Sequence, residues 1–377
     1  MSKSLKSRYV LCLNGSRIIN KRTALYIDGV QAEGLAVRVL APPRGKWCFV
    51  QCEHAAKISY QGNLSFDIGA MRNSTLSSVM CFHWLMLPLA VLIGLVSRVP
   101  VLYDEYDHFE MNQLEGSSLW LKRHFFSLLV QWIHRVCLPW VSLVTCIHMD
   151  RQTLKRHLER WQPSVMEIHN YPASAWRDSG RSRSPAGKLC FVYIGGVHVV
   201  KGVAAAADAF QLLPESVRRN SELHIFGKGD PNLVQRLRTL PGVTVHNGVT
   251  PEEFRRFTST HVCCGLAILA GTPRYCLVGT NCRKFFEYLA LGIPVIATRV
   301  GEFPQIVDGH RVGLLIDTDL NPLQIAGQMQ RLSEDHALFS EFSRNASIMM
   351  AKKEMTWEHE WSRIESTGII TPCRKAA

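Results

Sequence analysis

No Cys-x-x-Cys pair occurs among the 12 cysteines of this 377-residue chain. The nearest approach, Cys48 and Cys52, has no second ligand pair at zinc-site spacing, so no metal is expected. The cysteines are scattered, with one adjacent pair at Cys263-Cys264 and several inside apolar runs such as Val262 to Leu269. That distribution suits small buried hydrophobes in a reducing compartment and excludes a disulfide scaffold. Repeats of the solenoid kind are absent as well. The opening MSKSLKSRYVLCLNG has a basic start, but its apolar run is too short for the core of a signal peptide, and a cytoplasmic protein is the expectation.

Charged residues are missing from one further stretch. Val79 to Ser97, VMCFHWLMLPLAVLIGLVS, contains no Asp, Glu, Lys or Arg and is long enough to span a bilayer. It also carries His83 and Pro88 and runs through Arg98-Val99-Pro100 into the strand-like VLYDE, which is how a buried helix of a βαβ unit ends. The buried helix is therefore the preferred reading. Elsewhere cations dominate: the formal charge is +12, and the first half holds most of the excess. Trp120 to Val136 and Asp150 to Trp161 mix bases with aromatics. Two readings of these segments stay open, a solvated helix packed on a core and a face resting on an anionic membrane. Nucleic acid is not expected, because no basic run accompanies stacking aromatics on a strand platform.

With 47% apolar residues the chain exceeds one comfortable core and suits two α/β domains. RYVLCLN, VRVLAPP, VPVLYDEYD, VSLVTCIH and VMEIHNYP read as strands between helices, which predicts a parallel sheet in residues 1–172. ASAWRDSGRSRSPAG lacks apolar periodicity, making 173–187 a linker. KLCFVYIGG, ELHIFGKGD, VTVHNGV, VCCGLAIL, IPVIATR and VGLLID then repeat the strand-helix order over 188–352, so the expected fold is two Rossmann-like, doubly wound domains facing across a cleft. The tail 353–377 reads as a polar helix with two tryptophans, a candidate to pack back on the first domain.

Ligands in such sheets bind at the carboxyl ends of the strands. In the first domain Asn14-Gly15-Ser16 lets backbone approach a ligand closely, and Gly195-Gly196 does so in the second. Lys201 follows at the start of a helix, and an ammonium beside a helix N-terminus favours a diphosphate. Phe226-Gly227-Lys228-Gly229-Asp230 is read as a plain tight turn. In KFFEYLALGIP, a helix beginning near Asn281 sets Lys284, Glu287 and Tyr288 within one turn of each other. A carboxylate near a first turn is stabilised by the helix dipole and can accept both hydroxyls of a ribose; a surface pair of Lys284 with Glu287 is the alternative.

Residues 281–316, centred on FFEYLALGIPVIATRVGEFPQIVDG, resemble the family 4 (group 1) retaining glycosyltransferases of the GT-B fold. FVYIGGVHVVKG is similar to that family's glycine loop with its phosphate-binding Lys, and ELHIFGKGD and VTVHNGVTPEEF to the strands that succeed it. The resemblance implies a hexosyltransferase that moves a sugar from a nucleotide-diphosphate donor to a saccharide or lipid-linked acceptor in polysaccharide or glycolipid synthesis, without cofactor or metal. It implies Gly15, Gly195, Gly196, Lys201, Lys284, Glu287 and Tyr288 at the donor, with Lys201 also catalytic. Departures accompany it. The family's first acid falls on Gly279, its loop Arg on Gly196, a frequent Glu on Gln305 and its strand-end His on Tyr106, so that Asp107 or His108 would have to serve in catalysis. A non-catalytic sugar-nucleotide binder and a nucleic-acid glycosyltransferase are the rival readings.

Overall fold

A computed structural model describes residues 7–14, 20–41, 48–54, 57–59, 74–110, 120–177 and 188–370. The chain divides into two compact units: Met1–His148 with Gln152–Asn170 and Glu358–Ala377, and Met149–Arg151 with Tyr171–Trp357.

The first unit runs β1 (Ser7–Leu13), α1 (Lys21–Ala32), β2 (Ala36–Ala41), β3 (Cys48–His54), β4 (Lys57–Ser59), β5 (Ser74–Cys81), α2 (Leu87–Ser97), β6 (Val101–Glu105), α3 (Trp120–Cys137), β7 (Leu143–Ile147), α4 (Thr153–Leu158) and β8 (Val165–Ile168). Its eight-stranded sheet has the order β4-β3-β2-β1-β5-β6-β7-β8. The expected parallel sheet needs a correction at one edge, where β3 runs antiparallel to β2 and β4 antiparallel to β3. The strand order reverses between β1 and β5, at the carboxyl end of which stand Asn14 and His83.

α1 begins where the Asn20 side chain accepts the Thr23 amide, satisfying one of the donors that a helix start leaves open. It then buries Tyr26, Ile27 and Val30. Arg22, on the same buried face, binds both carboxylate oxygens of Asp104 on β6, at 2.9 Å from Nε and 2.8 Å from Nη2. Tyr26 donates to the same carboxylate at 2.9 Å. Deleting one partner of such a buried pair strands the other and costs roughly 3–5 kcal/mol.

The uncharged window from Val79 to Ser97 divides between the end of β5 and the 11-residue α2. Pro88 sits in the first turn of α2, where its missing N–H costs nothing, and Arg98 closes the helix in the left-handed region (φ 53°). Among the described residues no helix is long and apolar enough to cross a membrane. The buried-helix expectation needs a correction too: Leu89, Leu92, Leu95 and Val96 are exposed.

The second unit runs β9 (Leu189–Ile194), α5 (Val203–Gln211), α6 (Glu215–Arg219), β10 (Ser221–Phe226), α7 (Pro231–Arg238), β11 (Val243–His246), α8 (Pro251–Thr260), β12 (Val262–Ala267), α9 (Arg283–Ala290), β13 (Val295–Thr298), α10 (Phe303–His310), β14 (Gly313–Ile316), α11 (Pro322–Glu334) and α12 (His336–Met350). Its six strands are all parallel in the order β11-β10-β9-β12-β13-β14, and the order reverses between β9 and β12. Two hydrophobic clusters pack the faces of this sheet. One holds Phe285, Phe286, Tyr288 and Phe303, the other Phe191, Phe210 and Ile225. Of the segment expected to be linker, Ser174–Trp176 forms a short 3-10 turn that buries Trp176 in the first of these clusters, and 178–187 lie outside the described residues.

The last helix, α13 (Trp357–Glu365), carries Trp361 onto α1. Gly29 makes the room: a Cβ there would lie 2.4 Å from the Trp361 ring. Tyr26 meets the same indole edge-on at 6.0 Å between centroids.

Candidate functional site

The strands of the second unit converge at their carboxyl ends on the β9–β12 reversal, where doubly wound sheets hold ligands. β9 ends in Gly195, whose φ of +138° is a conformation side chains rarely adopt. The following loop is braced by Phe226-Gly227-Lys228-Gly229-Asp230, which the sequence reading assigned only a turn. Val197 donates to the Lys228 carbonyl at 2.9 Å and accepts from the Asp230 amide at 3.0 Å. A Cβ on Gly227 would lie 1.8 Å from the Gly195 carbonyl, and one on Gly229 2.0 Å from that of Val197, so both glycines permit the loops to touch. Gly195 spends its own amide on the Phe226 carbonyl (3.0 Å), which removes it from the expected phosphate donors.

Lys201 ends a 3-10 turn, Val199–Lys201, and Gly202 (φ 67°) turns the chain into α5, which begins two residues after the lysine. Its Nζ lies 3.1 Å from where a Gly196 Cβ would stand. The ammonium is thus beside the glycine loop, and a larger residue at 196 would crowd it.

Helix α9 starts at Arg283, two residues later than expected. Glu287 accordingly falls in the second turn, where the helix dipole has little hold on it. It is 2% exposed and pairs with Arg283, Nε to Oε1 2.7 Å, rather than with Lys284. Lys284 turns instead to Tyr193, its Nζ 4.1 Å from the ring centroid. The same tyrosine donates its hydroxyl to the Gly196 carbonyl at 2.7 Å, linking lysine and loop. Tyr288 is fully buried: its ring lies over Gly265, where a Cβ would come within 2.4 Å, and its hydroxyl accepts the Ile194 amide at 2.8 Å. This residue, expected at the donor, is a strut that fixes α9 against the end of β9.

Burial, and secondarily the repulsion of Lys201, pull the Lys284 ammonium down to about 8 despite the opposing influence of Cys282. Among the described residues neither Lys284 Nζ nor Arg283 Nη1 has a hydrogen-bond acceptor, although both are buried. Buried cationic donors in that state are complementary to an anion. Sequence reasoning missed Arg283 and Tyr193; the first lay within the quoted helix, but its partner became visible only with the true helix start.

In the first unit, Gly15 lies outside the described residues. Asp107 and His108 follow β6, and the Asp107 carboxylate accepts the His108 amide at 3.0 Å. Asp107 is half-buried, whereas His108 is buried with its ring 5.0 Å from that of His157. Burial, then His157, lowers the His108 imidazole to about 4, leaving it neutral near pH 7. Among the described residues one set of metal-ligating types, Cys190, Glu222 and His224, brings ligand atoms within 4.8 Å of one another. It stands near the amino ends of β9 and β10, away from the glycine loop.

Comparison with known proteins bears on the fold. Residues 188–335 match the family model for glycosyl transferases group 1. The whole chain has the GT-B fold. It is similar to WaaG, a glycosyltransferase involved in lipopolysaccharide biosynthesis (TM-score 0.61, 14% identity, covering 97% of this chain and 100% of that one). It is similar also to HepE of Anabaena, solved with UDP and glucose (0.62, 13%, 96% and 99%). A third similar structure is the sucrose-phosphate synthase of Thermosynechococcus elongatus (0.63, 14%, 96% and 98%). No curated protein matches the sequence.

Proposed function

We propose that this protein is a glycosyltransferase that takes a hexose from a nucleotide-diphosphate sugar and passes it, with retention of anomeric configuration, to a saccharide or lipid-linked acceptor in polysaccharide or glycolipid synthesis. The observation that carries the reading is that Lys201 and Lys284 both reach the Gly195-Gly196 loop, the first beside Gly196 and the second through Tyr193, with the Lys284 Nζ buried and Glu287 following on the same helix. HepE, of like fold, was solved with UDP and glucose, which is the ligand class such a cluster fits.

In this reading the diphosphate lies on the glycine loop. Lys201 and Lys284 neutralise it as it leaves, so that charge developing in the transition state meets donors already in place. Lys284 takes over the task of the arginine that the family carries at position 196. Glu287, held by Arg283, accepts the ribose hydroxyls. Asp107, on the first unit, is the candidate to contact the acceptor; His108 is enclosed and acts by positioning that loop. The residues supply all the charge the leaving group needs, and no metal or cofactor is invoked.

Lys201→Ala tests the assignment. Transfer measured by release of nucleoside diphosphate falls roughly 100-fold or more, the scale of losing one oriented donor. Activity within about twofold of the parent would show that Lys201 does not serve the leaving group.

A further inference from the structure

We infer that the outer face formed by α2 and α3 is a docking surface for an anionic lipid bilayer. This deepens the lipid-linked arm of the proposed reaction and rests on it only for the identity of the acceptor. On α3, Phe125, Leu128 and Trp132 recur at helical spacing and point outward, each more than half exposed. The opposite face buries Val130, Ile133 and Cys137. The helix thus has two apolar sides, only one of which the core uses. α2 packs beside it and presents Leu92 and Leu95, and Trp140 follows directly after α3; these three are also more than half exposed. Isolated exposed leucines are ordinary, but a run of large side chains on two adjoining helices is a surface shaped to leave water.

Charge selects the occupant. Neither α2 nor α3 contains an Asp or Glu, while the exposed Arg135 lies in the last turn of α3 and the exposed Arg98 closes α2. A second copy paired through this face would set an acid-free basic surface against itself. An anionic headgroup layer supplies both what the cations need and the apolar boundary that the leucines and tryptophans need. Trp132 and Trp140 suit the depth of the headgroups, where an indole keeps its ring in the apolar layer and its N–H in the wet one.

The test is flotation of the full chain with vesicles of phosphatidylcholine alone and of phosphatidylcholine mixed with phosphatidylglycerol, at low and high salt. The protein floats with the anionic vesicles at low salt and less at high salt. Leu92→Glu combined with Trp132→Glu, both at exposed positions, lowers the bound fraction at least roughly tenfold, as loss of two apolar side chains requires. Thermal unfolding checks that the double variant is folded. Absence of flotation at either salt, or a double variant that floats like the parent, overturns the inference. So does a stable dimer in sedimentation velocity that the double variant dissolves. Nucleotide-induced stabilisation is measured on the same samples: if it is intact while flotation fails, the docking surface is wrong and the donor site stands.

Discussion

Lys284 is the residue on which the proposed donor site turns, because its ammonium is buried and, among the described residues, has no hydrogen-bond acceptor. Its lowered pKa of about 8 gives a signed prediction. The ammonium is charged below that value and neutral above it, so affinity for a nucleoside diphosphate weakens as pH rises from about 7 to about 9. Calorimetric titrations across that interval show the decline in the parent. Lys284→Met binds roughly tenfold more weakly near neutrality, as loss of one charge-assisted contact of ~1.4 kcal/mol dictates, and loses the pH slope. An affinity independent of pH in the parent would remove Lys284 from the phosphate. Glu287 and Lys284 were both legible in the sequence because they sit in a recognisable helix. Their partners were not. Tyr193 lies some ninety positions from Lys284, and no local pattern announces a tyrosine ring under a lysine.

At the scale of elements, two glycines decide how helices seat. Gly265 lets the Tyr288 ring cross β12 and anchor α9, and Gly29 lets Trp361 lie on α1. Alanine in the middle of a helix ordinarily gains about 1 kcal/mol over glycine. At Gly29 the added methyl would stand 2.4 Å from the indole, and overpacking of that kind costs roughly 1–3 kcal/mol. Gly29→Ala is therefore destabilised by about 1 kcal/mol in chemical denaturation; a variant as stable as the parent would mean that α13 does not hold this seat. The parallel strands could be read from their apolar runs and the turns that close them. The antiparallel pair β3 and β4 could not, since Cys48–His54 alternates apolar residues with Gln51 and Glu53 over a short span and follows a Pro42-Pro43 pair that reads as an end. Likewise, the uncharged window around α2 looked like core because hydropathy records composition, not which side of a helix finds a neighbour.

For the whole molecule, the two doubly wound sheets make the GT-B fold, and the proposed donor site lies at the strand reversal of the second. In the proposed account the acid-free helices of the first unit have a different task, contact with an anionic surface. The account stands or falls on the donor. Thermal unfolding of the parent and of the Lys201→Ala, Lys284→Met double variant across a panel of nucleoside diphosphates and nucleotide sugars tests it most directly. The parent is stabilised by one nucleotide class, by ~2.7 kcal/mol when ligand stands at a hundred times its dissociation constant, and the double variant loses that gain. If no member of the panel stabilises the parent, or the double variant is stabilised equally, the cluster around Gly195 and Gly196 is not a sugar-nucleotide site.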